Sequence, residues 1–132
     1  MDIVLQTNTD NPSLAFRDLE RFDDDSGYGT TLVIHSGWIS VEYKFVFETL
    51  PLQMFLKNLE QIDRTLIGTA RLKPTYEEQF VEFEGNGRGH ILVHGELADH
   101  SGGQRVRFGF GADQTCLRPF IVAFQQFASC AS

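Results

Sequence analysis

Three groupings of residues in this sequence have side chains that could do chemistry. Gly85, Gly87 and Gly89 alternate with Asn86 and Arg88, and His90 and His94 follow directly. A glycine-rich phosphate loop needs a strand before it and a helix N-terminus after it, so that backbone N–H groups and the helix dipole meet the anion. Here a strand pattern follows the glycines, which makes the segment a hairpin turn. His90 and His94 would share a metal ion if they lay on a helix. On a strand, four residues span roughly 13 Å, too far for two bonds near 2 Å. No metal ligand set and no cofactor site follow from this pair.

Cys116 precedes an apolar helical pattern, where a helix dipole can lower a thiol pKa. No histidine is spaced to act as its base, and a small buried residue is the plainer role. The carboxylates are dense at Asp23-Asp24-Asp25 and at Glu77-Glu78, with Glu82 and Glu84 beyond. Glycosidase chemistry would need two carboxyls across a cleft. The runs instead read as solvated faces or as a patch that captures a basic protein. No catalytic residue is assigned.

These groups must be carried by elements, and the hydrophobic period shows which. Ile3 to Gln6 is a short apolar run, and Ser13 to Phe22 alternates weakly, with Leu14 and Phe16 inward and Glu20 and Phe22 on the same side. After the Asp23–Gly27 turn, Thr30 to His35 is rich in β-branched residues. Ser36-Gly37 turns the chain into the clearest strand, where Ile39, Val41, Tyr43, Phe45 and Phe47 alternate with Ser40, Glu42, Lys44 and Val46. Leu52, Phe55, Leu56, Leu59, Ile62 and Leu66 recur at helical spacing, which predicts a helix over 51–66 with Pro51 in its first turn and Gly68 at its close. Four further strands are predicted over Thr69–Lys73, Glu78–Glu84, His90–Leu97 and Arg105–Gly111, joined by the Gly85–Gly89 and Asp99–Gly103 loops. The last element is a helix over 114–128, capped by Asp113, with Leu117, Phe120, Ile121, Phe124 and Phe127 on its buried stripe. The fold class is therefore α+β: an antiparallel sheet of about seven or eight strands in meander order, packed against two α-helices. No linker, low-complexity tract or internal repeat divides the chain, so 1–132 reads as a single domain.

Composition bounds the function. The 132 residues hold 18 Asp and Glu against 11 Lys and Arg, a formal net charge of −7. Such a balance argues against direct nucleic-acid binding and against attraction to anionic lipid, both of which need clustered cations. The acidity is uneven: residues 1–60 carry 10 acids and 4 bases, and residues 61–132 carry 8 and 7. Twelve phenylalanines fall on strand faces and helix stripes. Cys116 and Cys130, placed on one helix about 21 Å apart, could not form a disulfide, which suits a reducing cytoplasm. The N-terminus lacks the basic and long apolar regions of a signal peptide, and no apolar run is long enough to span a membrane.

The segments Gly87-Arg88-Gly89-His90-Ile91-x-Val93-x-Gly95-x-Leu97-x-Asp99 and Phe108-x-Phe110-x-x-Asp113-Gln114-Thr115-x-Leu117-x-Pro119-Phe120 resemble a bacterial family of small acidic proteins. That family overlaps the WapI-type immunity proteins of polymorphic toxin systems. The resemblance covers about residues 40–128, including the Leu52–Leu66 helix. It implies a cytosolic protein that binds and neutralises a cognate toxin domain, with no catalytic residues, and the acidity of the chain makes the expected toxin domain a basic one, such as a nuclease. Two candidate surfaces follow for that partner. One is the acidic group Asp18, Glu20, Asp23, Asp24 and Asp25. The other is the outward row His90, His94, Glu96, Arg105 and Arg107. The alternative is a small ligand-binding domain or enzyme with a Phe-lined pocket between sheet and helices. The oligomeric expectation is a monomer or a weak homodimer through a sheet edge.

Overall fold

The computed structural model describes residues 1–7, 9–99 and 103–129. Cys130 and part of the Asp99–Gly103 loop lie outside the described residues. The chain runs β1 (Ile3–Leu5), β2 (Ser13–Arg21), β3 (Tyr28–Ser36), β4 (Ile39–Phe47) and α1 (Thr49–Thr65). It repeats that order with β5 (Ile67–Leu72), β6 (Phe80–Asn86), β7 (His90–Ala98), β8 (Arg105–Asp113) and α2 (Leu117–Ser129), the last entered through a short 3-10 turn at Gln114–Cys116. The predicted α+β architecture, with antiparallel strands in meander order and two helices, is what the chain adopts. Its strands divide into two four-stranded sheets, β1-β2-β3-β4 and β5-β6-β7-β8. Each sheet ends in a helix, so the topology is duplicated although the sequence shows no repeat. Matching binary patterns suffice to specify the same unit twice.

The alternation in β4 behaves as its pattern requires: Phe45 and Phe47 are buried while Ser40, Glu42, Lys44 and Val46 face out. Leu52, Phe55, Leu59 and Ile62 form the buried stripe of α1. Pro51 sits in its first turn, where a missing N–H leaves no bond unmade. The helix closes on Leu66, with φ of 66° and its N–H donating to the Ile62 carbonyl at 2.8 Å, instead of on Gly68. The reason is spacing. Strand β5 starts at Ile67, so only Leu66 is available for the left-handed turn.

Strand β2 also departs from simple alternation. Its pairing with β3 shifts between Arg17 and Glu20, and Asp18 takes a positive φ of 54°. A bulge adds one residue and flips the faces beyond it. Leu19 therefore turns inward and Glu20 outward, the reverse of an unbroken period of two.

Both sheets and both helices meet in one aromatic cluster. Phe120 of α2 stacks on Phe83 of β6 with centroids 5.5 Å apart, and lies 6.0 Å from Phe16 of β2. Phe124 meets Phe16 edge-on at 4.9 Å and Phe55 of α1 at 6.3 Å. These rings contact one another and are buried, so they fill the space between the layers. Side-chain polar atoms buried in this interior all have partners among the described residues.

Candidate partner-binding surface

The bulge in β2 and the turn after it build the first surface. The Asp18 N–H donates to the Asp2 carboxylate at 2.9 Å, and the Thr30 hydroxyl donates to the Arg17 carbonyl at 2.8 Å, so the bulge is tied on both sides. The Phe22–Gly27 turn closes through the Phe22 N–H to the Gly27 carbonyl at 3.0 Å. Within it the Asp24 carboxylate accepts from the Ser26 N–H at 3.0 Å, and the hydrogen bonds from Ser26 hold the Asp24 carboxyl below its ordinary range. Asp25, at a φ of 58°, lies 3.7 Å from Arg21. The turn presents Asp23, Asp24 and Asp25 to solvent at one end of the first sheet.

Asp18 and Glu20 line an open groove of about 400 Å³ on the outer face of that sheet, with Lys44 on its floor. The groove continues past Phe22 and Val46 into a second hollow of about 260 Å³, walled by Glu48, Pro74, Tyr76 and Glu77. Val46 is 53% exposed and Tyr76 95% exposed, so the groove offers apolar area between its carboxylates. Glu48 is set by accepting from the Thr75 N–H at 3.1 Å, and hydrogen bonding from Thr75, side chain and backbone, holds its carboxyl below the usual value. Asp18, Glu20, Asp23, Asp24, Glu48 and Glu77 have no ion pair with any described residue.

The second predicted row lies on the outer face of the second sheet, and four of its five residues, all but His90, stand in ion pairs. Arg105 pairs with Glu96, and Arg107 reaches the same carboxylate at 3.5 Å. The Arg105 hydrogen bond and charge pull the Glu96 carboxyl below its ordinary range. His90 is exposed at the far end of β7, where its N–H donates to the Asn86 side chain at 3.3 Å. His94 sits opposite Glu82 in the β6–β7 register, and its Nε2 lies 2.8 Å from Glu82 and 3.1 Å from Glu84. Arg71 Nε bonds the other Glu82 oxygen at 2.7 Å. Burial pushes the Glu82 carboxyl up, but the hydrogen bonds and charge of Arg71 and its other neighbours outweigh this and hold it below the ordinary value.

The structure thus separates the ten predicted residues into two groups on different sheets. Glu82, expected among solvated carboxylates, has a side chain only 7% exposed. Arg71, Tyr76, Val46 and the hairpin-tip Trp38, which is 93% exposed, are surface features that the charge patterns did not single out. Trp38 follows Gly37 at the β3–β4 turn, and a large aromatic at a turn tip is the one signal that could have marked it.

Two four-stranded meanders, each closed by a helix and each leaving a polar outer face, define the class: a duplicated ββββα fold. The crystal structures of Trypanosoma bruciei MRP1/MRP2 are similar to it, with a TM-score of 0.51 and 11% identity over 98% of this chain and 84% of that one. At that identity the similarity concerns the fold alone. No curated protein matches the sequence. The sequence pattern of the immunity protein WapI-like family matches residues 6–129, and the chain belongs to that family. Its first 40 residues, which lie outside the span of the sequence resemblance, fall almost wholly within the match.

Proposed function

We propose that this protein neutralises a toxin domain by binding it, without catalysis, and that the acidic groove of the first sheet is the surface that does so. Family membership supports an immunity function. The observation that carries the choice of surface is the run of carboxylates without ion pairs around Phe22, Val46 and Tyr76. On the second sheet, by contrast, Glu82 and Glu96 already have cationic partners. Unmatched charge steers an oppositely charged partner, whereas a closed ion-pair network contributes little field beyond its own contacts. Exposed aromatic and aliphatic area supplies what charge does not, since the energy of an interface concentrates in a few desolvated anchors.

The partner is then a toxin domain with a cationic surface, such as one that handles nucleic acid. Asp18, Glu20 and the Asp23–Asp25 turn meet its Lys and Arg side chains, and Tyr76 packs against their stems. The encounter is placed in the cytoplasm, with this protein acting as a monomer. No helix among the described residues is long and apolar enough to cross a membrane. Co-expression with the C-terminal domain encoded by the adjacent upstream reading frame tests the reading. Rescue of growth by the wild-type chain, lost on Glu20→Lys with Asp23→Lys, agrees with it. Rescue undiminished by that double substitution contradicts the assigned surface.

A further inference from the structure

We propose that Glu82, Glu84 and His94 form a binding site for one first-row divalent metal ion, of the zinc type, on the outer face of the second sheet. This inference is independent of the toxin-binding reading.

The three side chains arrive together through sheet register. Glu82 and Glu84 are two residues apart on β6 and so share a face, and His94 is the direct cross-strand partner of Glu82. One ring nitrogen, Nε2 of His94, lies 2.8 Å from Glu82 Oε2 and 3.1 Å from Glu84 Oε1. One atom of each residue falls within 4.8 Å of the other two.

Arg71 supplies positive charge only to the outer oxygen of Glu82, so the three converging atoms are held together either by a proton on His94 or by a cation between them. Neutral His94 with its proton on Nδ1 would aim a lone pair at two carboxylates. A proton on Nε2 would have two acceptors and could align well with only one. A divalent ion satisfies all three atoms at once. With bonds of about 2.1 Å, separations of 2.8 and 3.1 Å correspond to ligand–metal–ligand angles of about 84° and 95°, which one ion can span.

The surroundings hold this arrangement in place. Arg71 occupies the remaining oxygen of Glu82, which leaves Oε2 directed at His94. The Arg71 guanidinium lies over the Phe80 ring at 4.3 Å, and Phe80 meets the His94 ring at 86°. Phe80 therefore fixes both the cation that orients Glu82 and the imidazole itself. Glu82 is buried, while the side chains of His94 and Glu84 are 27% and 45% exposed. Ions can enter from that open side, and waters can complete the coordination. One imidazole with two carboxylates suits zinc or manganese, and carries less affinity for calcium or magnesium, which favour all-oxygen sets.

The test is zinc titration of tag-free wild-type protein, followed by calorimetry and by ring-nitrogen NMR of the histidines. The proposal expects one zinc ion per chain and a shift of the His94 Nε2 resonance while that of His90 stays put. His94→Ala and Glu84→Gln should each weaken binding at least tenfold, a loss no smaller than outer-shell changes cause at metal sites. His90→Ala, four residues along the same strand, should bind as wild type. No zinc binding up to millimolar concentration, or equal losses in His90→Ala and His94→Ala, overturns the proposal and leaves the trio as a proton-bridged ion cluster. The wild-type NMR shift decides the matter even if a variant fails to fold.

Discussion

Phe120 of the C-terminal helix lies flat on Phe83 of the second sheet, with ring planes 20° apart, and also touches Phe16 of the first sheet. One side chain thus joins both halves of a duplicated fold. Phe120→Ala removes a ring that is 1% exposed and leaves a cavity at the junction, so it should cost about 3–5 kcal/mol in urea unfolding. Phe120→Leu should cost clearly less. Equal losses for the two would show that the rings do not determine the packing.

Gly95 faces a second tight contact. A Cβ there would collide with the Phe80 carbonyl and sit 2.9 Å from the Phe108 ring. The obstacle is backbone, which cannot step aside as a flexible side chain would. Gly95→Ala should destabilise by at least about 1–3 kcal/mol. Gly109→Ala, whose Cβ would have ordinary contact at 3.6 Å from His94, is the paired control and should lose less.

Glu48 anchors the rim of the acidic groove through the Thr75 N–H. Hydrogen bonding from Thr75, side chain and backbone, lowers the folded-state pKa of Glu48 below its ordinary 4.5. A depressed carboxylate pKa contributes stability that is present above the unfolded value and lost as pH falls through the folded one. The Thr75 amide resonance should therefore hold constant from neutrality to about pH 5 and move only below the ordinary Glu value, in step with Glu48. Movement centred at or above 4.5 would mean that the bond does not form in solution.

Trp38 separates two accounts of recognition. It is 93% exposed at the hairpin tip, away from the Asp23–Asp25 turn at the other end of β3. Trp38→Ala should change stability by less than about 0.5 kcal/mol. It should also leave toxin affinity close to wild type if the acidic groove makes the contact. A loss of about 2 kcal/mol or more in binding would move the hot spot to the hairpin tip.

Much of this architecture was legible from residue spacing. The β4 alternation from Ile39 to Phe47 and the α1 stripe from Leu52 to Ile62 have strong periods, and tertiary packing merely used them. Asp113 caps the turn before α2 by accepting from the Thr115 N–H, as its type and position predicted. Two features escaped because they depend on a register shift or a turn geometry. The bulge at Asp18 turned Leu19 inward, and Leu66 took the left-handed turn that Gly68 suited better by type. The cluster of Glu82, Glu84 and His94 escaped for a different reason. Which residues of two strands stand opposite each other is set by the whole hairpin, and ten residues separate Glu84 from His94 along the chain. The acidic patch was visible as composition. Its setting around Val46 and Tyr76 required the fold.

The central claim is that unmatched carboxylates on the first sheet steer and hold a cationic toxin domain. Its most direct test is the association rate with that domain, measured by stopped flow from low salt to 0.5 M. The account predicts a steep fall for the wild-type chain with added salt. It predicts a rate about tenfold lower at low salt, with a flatter salt dependence, for Asp18→Asn combined with Glu20→Gln and Asp23→Asn. A wild-type rate unchanged at 0.5 M salt, or a triple variant that associates as fast as wild type, would contradict it.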